Sequence, residues 1–455
     1  MDAQTLSGRE QRLSRWLLLA LLLFFVALSV QYALKASRSS HSSAFQRWRD
    51  QILSLSDGED IYERYNYPNP PIMALILTPV ATLPEWTGLP VLTCALVWFW
   101  LKVGMTLLAL AWVFRIVEVP GRPFPLWARV LTVLLTLRPI AGDLSHGNVN
   151  LFILFLVVGF LHAFHRGRDF LAGIVLGLAM ACKVTPALFV PYLAWKRAPR
   201  ALAGCAAGIA LFFWPGFVPA CFLSWSENLQ QVNSWTTQMV KPFLVEGVVT
   251  SEHNNQSLPG LVYRLTTHSP SFVEYPDNQW TPVRWHNVLS LSPDAARWLV
   301  KGFMALFVLL VVWTCRTPRE GPGADPPRLA AEYGIVVLGM LLFSERTWKH
   351  HCVTLLVPFA VLSYHLVLLW TRKGLRTYLI GSLAAVVLLM TSTSISLLGR
   401  DGGKLAQVYG AYVFAFLVLL AALAVVLRHP AARANVQGEL DQRDTQSALN
   451  RRKAG

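Results

Sequence analysis

The sequence predicts an all-α integral membrane protein: a polytopic bundle of about twelve transmembrane helices, with one re-entrant or surface segment and outer loops that carry the site. Three observations lead there. Of 455 residues, 54% are hydrophobic and 14% charged, more apolar surface than a water-soluble core of this length can bury. The apolar residues gather in runs near the ~20 residues that a helix needs to cross the hydrocarbon layer. The net charge of +15 sits in short Lys/Arg clusters between those runs, as in the cytoplasmic loops of membrane proteins, so it implies no nucleic-acid partner.

The runs are 16–34, 88–113, 125–139, 149–164, 169–182, 184–195, 201–222, 297–315, 329–343, 351–371, 375–398 and 405–427. The first follows a charged head, is long for a signal peptide and lacks a small-residue cleavage site, so it reads as a retained anchor. Pro71 to Leu83 is too short and too proline-rich for a crossing, which leaves it as the re-entrant or surface segment. Arg115/Arg122, Arg166/Arg168, Lys196/Arg197/Arg200, Arg316/Arg319 and Arg372/Lys373/Arg376 mark cytoplasmic loops. Arg428, Arg433, Arg451, Arg452 and Lys453 mark a cytoplasmic tail, which puts both termini inside. Residues 1–428 are expected to form one membrane domain, and the polar stretch 429–455 a disordered tail. The six cysteines, Cys94, Cys182, Cys205, Cys221, Cys315 and Cys352, show no metal-ligand spacing and read as small core residues.

This orientation puts five segments outside: 35–70, 139–148, 182–186, 223–296 and 344–350. The longest has too few apolar residues to cross, and Trp280 and Trp285 suit it to a lid on the membrane surface.

Polar residues with chemical potential concentrate in these segments. The first loop holds Arg47, Arg49, Asp50, Asp57, Glu59, Asp60, Glu63 and Arg64 ahead of Tyr65-Asn-Tyr-Pro-Asn-Pro-Pro71. Carboxylates and guanidiniums there can activate a hydroxyl and bind phosphate, or form surface ion pairs on a solvated loop. Lys183 places an ammonium at the end of a nearly uncharged run, where it either serves a site or snorkels to the interface. Arg138 and Asp143 are expected to pair in an outer turn. Ser344-Glu-Arg-Thr-Trp-Lys-His-His351 sets two imidazoles, a carboxylate and two cations between apolar runs. Adjacent histidines on a helix point about 100° apart, which suits hydrogen bonding to phosphate or sugar better than joint metal binding. No phosphate-cradling glycine loop, nucleophile elbow or zinc signature is present, which argues against a cytoplasmic nucleotide-sugar donor.

In order, Tyr67-Pro-Asn-Pro-Pro-Ile-Met-Ala-Leu with Pro79, His146-Gly-Asn-Val-Asn150, Ala172-Gly-Ile-Val-Leu-Gly-Leu-Ala179 and Lys183-Val-Thr-Pro186 resemble glycosyltransferase family 87. Asn255-Gln-Ser-Leu258, Arg264, Ser344, Trp348, His350 and His351 continue the likeness, which covers about residues 40 to 365. The resemblance implies a GT-C type membrane fold and inverting transfer of a mannose-like hexose or a pentose from a polyprenyl-phosphate sugar. The acceptor is a glycan or glycolipid at the outer face of a bacterial inner membrane. A loop carboxylate acts as base, with Asp50, Asp143 and Glu345 as candidates, because the family's aspartate-aromatic pair falls on Ala44-Phe45. The expected substrate-binding residues are Tyr67, Asn148, Asn150, Lys183, Asn255, Gln256, Ser257, Arg264, Trp348, His350 and His351. Lys183, Arg264 and the two histidines are expected to stabilise the leaving phosphate. No cofactor or resident metal ligand set is expected, and the metal requirement stays open. A lipid-linked-sugar transporter would use the same polar groups without a base, but gathering them at one face favours an enzyme. An inactive sugar-lipid binder is the other alternative, which Ala44 favours.

Overall fold

The structure, a computed structural model, describes residues 8–38, 43–65, 67–119, 121–213, 217–319 and 325–428. The tail 429–455, expected to be disordered, lies outside the described residues. The chain opens with α1 (Gly8–Arg38), α2 (Ala44–Ser56), α3 (Ile61–Tyr65), α4 (Pro71–Ala81) and α5 (Leu83–Thr87). The bundle continues through α6 (Leu92–Val117), α7 (Leu126–His146), α8 (Asn150–His165), α9 (Asp169–Cys182), α10 (Phe189–Trp195) and α11 (Pro199–Phe212). The long loop is structured, with α12 (Trp225–Trp235), α13 (Lys241–Leu244) and α14 (Leu258–Thr266). It closes with an antiparallel hairpin of β1 (Pro270–Glu274) and β2 (Thr281–Trp285). Then follow α15 (Pro293–Thr314), α16 (Pro326–Leu342), α17 (Leu356–Leu368), α18 (Lys373–Ser392), α19 (Ile395–Val408) and α20 (Ala411–Arg428).

Among the described residues, six helical segments are long and apolar enough to cross a membrane: α1, α6, α15, α18, α20, and α17 together with the 3₁₀ turn that leads into it from Lys349. α8, α9 and α11 are apolar but shorter. The chain is therefore a multi-pass membrane protein. The periphery and the centre differ in what they bury. Leu18, Leu19, Leu22, Leu23, Val26 and Val30 of α1, like Leu306, Val308 and Leu309 of α15, point outward, as lipid-facing residues do. Every residue of α16 from Pro327 to Leu342 is buried. α4 has 11 residues and is largely buried, too short at about 16 Å to cross.

Charges that the sequence assigns to cytoplasmic loops are fastened. Lys196 Nζ lies 2.5 Å from the buried Glu332 carboxylate, which also accepts from the Tyr192 hydroxyl at 2.9 Å and the Thr317 amide at 2.7 Å. Arg319 pairs with Asp169 and lies over the Phe164 ring at 4.0 Å.

Two expectations are corrected. The segment 139–148 is not an outer turn: α7 runs through Pro139 to His146, and Gly147 at φ +67° ends it. Proline forfeits one backbone donor, and packing of the helix around it outweighs that loss. Arg138 does not pair with Asp143 either, since its guanidinium donates to the Met390 carbonyl at 2.7 Å.

α9 and α11 meet through glycines. A Cβ on Gly173 would fall 2.1 Å from the Ala201 carbonyl oxygen, and one on Gly204 2.1 Å from that of Phe170. Gly177 and Gly208, each four residues further on, are also tight, with a Cβ falling 2.8 and 2.7 Å from the opposite backbone. This is the small-xxx-small contact of membrane helices, in which bare backbone allows close dispersion packing. Gly204→Val is expected to destabilise the protein by about 1–3 kcal/mol or more, the usual effect of overpacking. Gly381→Val, where a Cβ meets open space, is the control. Thermal melts in detergent check this, and equal melting temperatures for both variants would refute the contact.

Candidate active site

The site starts from a buried ion pair. Asp143 on α7 and Lys102 on α6 are both fully buried, with Nζ 3.7 Å from the carboxylate and 3.0 Å from the Asp143 carbonyl oxygen. The other carboxylate oxygen accepts from the Leu151 amide at 3.3 Å, in the first turn of α8, where the helix dipole favours an anion. Gly147 and the start of α8 are thereby fixed. The Asn148 side-chain oxygen accepts from the Val149 amide at 2.7 Å, which turns Nδ2 to the His350 ring, 3.2 Å from Nε2. The Asn150 side-chain oxygen accepts from Lys183 Nζ at 2.6 Å.

Facing this turn is the segment before α17. The His350 ring stacks on His146 at 4.7 Å and meets His351 edge-on at 4.8 Å. Trp348 lies 5.3 Å from the first ring of that pair and 5.7 Å from the second. His351 Nδ1 is 3.1 Å from the Arg346 carbonyl. A carbonyl only accepts, so Nδ1 carries the proton.

Between the two segments lies a narrow cleft of about 20 Å³, lined by Asn150, Lys183, Ser344, Thr347, His351 and Thr354, with Met340 and Leu341 beneath. Asn150 Nδ2 and Thr354 Oγ1 are buried and have no hydrogen-bond partner among the described residues. Buried polar atoms rarely stay unsatisfied, and both of these residues line the cleft. Lys183, just beyond the end of α9, has its pKa pushed down to about 8 by burial, with the Asp143 carboxylate opposing. It is therefore charged at neutral pH. An ammonium, an amide, hydroxyls and an imidazole around one dry cleft suit an oxyanion.

Six of the expected residues converge here: Asn148, Asn150, Lys183, Trp348, His350 and His351. Others are placed differently. Arg264 is fully buried, and its guanidinium donates to the carbonyls of Val408, Ser251, Glu252, Asn255 and Gln407 at 2.7–3.3 Å. It has no surface to offer a phosphate and instead staples the long loop to the end of α19. Asn255, Gln256 and Ser257 are equally buried. Asn255 Nδ2 donates to the Glu345 carbonyl at 2.9 Å, and its oxygen accepts from the Thr347 amide at 3.0 Å. The Gln256 amide donates to the Thr347 carbonyl at 2.7 Å, and Ser257 caps α14. These residues hold the Glu345–Thr347 turn and do not contact the cleft. Tyr67 is buried among Trp48 and Tyr62.

The candidate bases also separate. Asp143 is committed to Lys102 and α8. Asp50 stands 69% exposed on α2, 3.8 Å from Arg49. Glu345 follows the cleft residue Ser344, 3.3 Å from Arg346, and burial raises its pKa while Arg346 opposes the rise.

Sequence reasoning passed over Lys102 and Thr354. Lys102 is an ammonium inside an apolar run, which is itself a signal. Thr354 lies three residues after His351, on the same helical face.

Spanning helices with a polar cleft at the ends of several of them define a multi-pass membrane protein. Residues 67–345 match glycosyltransferase family 87. A relative from Mycobacterium tuberculosis, a polyprenol-phosphate-mannose-dependent alpha-(1-2)-phosphatidylinositol mannoside mannosyltransferase, is 27% identical over 339 residues, covering 72% of this chain and 68% of its own. A relative of the same name from Mycolicibacterium smegmatis is 26% identical over 320 residues, and the match spans 66% of this chain but only 63% of that relative. Among solved structures, the crystal structure of ArnT from Cupriavidus metallidurans in the apo state aligns with a TM-score of 0.40 and 13% identity, over 90% of this chain and 77% of the other. The chain belongs to glycosyltransferase family 87 and is a membrane glycosyltransferase.

Asp143→Asn leaves Lys102 buried and unpaired, which is expected to destabilise the protein by about 3–5 kcal/mol. Adding Lys102→Met removes the stranded charge and recovers most of that loss. Thermal melts of both variants check this, and a single variant as stable as the wild type would show the pair to be idle.

Proposed function

We propose that the protein moves a mannose-like sugar from a polyprenyl-phosphate donor to a glycan or glycolipid acceptor on the non-cytoplasmic face of a bacterial inner membrane, with inversion. The observation that carries the reading is the pair of unpartnered buried groups, Asn150 Nδ2 and Thr354 Oγ1, beside Lys183 and His351. The relatives' names supply the donor class. In this reading the leaving phosphate sits in the cleft, where Lys183 stabilises its developing charge. The acceptor oxygen bonds to the anomeric carbon as the bond from that carbon to the phosphate oxygen breaks. Polyprenyl phosphate departs with the electron pair, and the acceptor's proton passes to a carboxylate. Glu345 is that base: it lies between cleft residues Ser344 and Thr347, and burial, which raises its pKa against the pull of Arg346, makes it a stronger base. Glu345 is favoured over Asp50, which is exposed and absent from the cleft lining, and over Asp143, which is paired with Lys102.

Both termini are cytoplasmic in this reading, residues 1–428 act as one GT-C type domain, and no cofactor takes part. The second reading, a sugar-lipid binder without turnover, is favoured by Ala44, a buried methyl where the family pattern has its aspartate.

The test is transfer from a panel of radiolabelled polyprenyl-phosphate sugars in membranes holding the protein. Lys183→Ala is expected to lower kcat about 100-fold, the usual effect of losing one transition-state donor. Glu345→Gln should abolish transfer and Asp50→Asn should not; the reverse result would overturn the assignment of the base. Binding without turnover by the wild type would select the second reading.

The pH profile gives an independent check. Lys183 is charged below its pKa of about 8, so kcat/KM should fall as pH rises through that value, and Lys183→Arg should remove this fall. An alkaline limb unchanged in Lys183→Arg would show that another group titrates.

A further inference from the structure

A second cavity lies apart from the cleft. Between α3 and α12 runs an open groove of about 530 Å³. One wall carries Asp60 and Glu63, and the other is the polar face of α12. Gln230, Asn233, Ser234 and Thr237 follow the i, i+3, i+4, i+7 spacing of a single helical face. At its end the helix widens into a π turn, Thr236–Val240, which adds Gln238 to the same wall. Such turns recur at functional sites.

The walls are held at a set separation. Buried Gln231 accepts from the Ile61 amide at 3.4 Å and donates to the Glu59 carbonyl at 2.8 Å, pinning α12 to α3. Asp60 is spent on the start of α3, where it accepts from the Tyr62 and Glu63 amides at 2.9 and 3.2 Å. The Glu63 carboxylate has no ion pair among the described residues, and none of the groove's lining residues is a cation.

The lining chemistry selects the ligand. Amides donate and accept, hydroxyls do both, and a carboxylate takes hydroxyl protons. With no cation present, a phosphate or carboxylate ligand would be repelled by Glu63. We propose that this groove is a second subsite that binds an uncharged polyhydroxylated group, the glycan part of the acceptor, while the cleft binds the phosphate. The assignment to the acceptor rests on the transfer reading above; the preference for a neutral polyol does not.

The test uses the full chain in nanodiscs and α-1,2-mannobiose as the probe, with mannose 6-phosphate as its anionic counterpart. Saturable mannobiose binding is expected to weaken about tenfold in Gln230→Ala/Asn233→Ala, as for the loss of two hydrogen-bonding groups. Alanine is a good helix former, so α12 should persist in that variant, and Glu63→Gln, nearly isosteric, provides a second variant that should also weaken binding. The acceptor KM should rise in parallel. Mannobiose binding that is absent, or equal in the wild type and both variants, or matched by mannose 6-phosphate at the same residues, would overturn the proposal. If the wild type consumes no donor yet binds mannobiose in a manner sensitive to these variants, the transfer reading falls and the polyol groove stands.

Discussion

The site depends on one buried charge pair. Lys102 and Asp143 lie where neither ion has water, and each is tolerable there only because of the other. Their joint effect is positional. The carboxylate reaches the first turn of α8 while the ammonium reaches back to the carbonyl of its partner, so the end of α7 and the start of α8 form one rigid corner. Asn148 and Asn150 project from that corner, one to His350 and the other to Lys183. A charge pair that touches no substrate thus sets the place of two groups lining or flanking the cleft.

A second fastening acts from the outside. Asn255, Gln256 and Arg264 use nearly all their hydrogen-bonding capacity on backbone groups of the Glu345–Thr347 turn, of the long loop itself and of the end of α19. Loops near a membrane surface are commonly the mobile part of a protein. Here a guanidinium buried among carbonyls makes the long loop a fixed wall. The side chains that line the cleft can therefore be few, because their supporting shell is extensive.

Much of the architecture was legible in the sequence because hydropathy is a local signal. Most of the apolar runs coincide with helices, although the run 201–222 outlasts α11 and the run 405–427 is divided between α19 and α20, and the short proline-bounded stretch became the short helix α4. The end of α7 was misplaced because Pro139 is a strong local breaker, and only packing from other helices overrides it. The site was legible in part for the same reason. Lys183, His350 and His351 stand out as polar groups beside apolar runs, and they converge. Arg264 and Asn255 stand out equally in sequence yet turn inward, because a motif shows that a residue type is required and not which way it faces. The partner of Asp143 was missed since Lys102 is 41 residues away, and nothing local links the two.

α16 has a consequence for the lipid that the enzyme serves. It is buried along its whole length, so the bilayer does not set its dimensions; its 17 residues measure about 25 Å, against about 30 Å of hydrocarbon. One end approaches the Glu332 clamp, and the other, at Met340 and Leu341, floors the cleft. In the transfer proposed above, a sugar phosphate reaching this floor sheds its hydration, which keeps bulk water from competing with the acceptor.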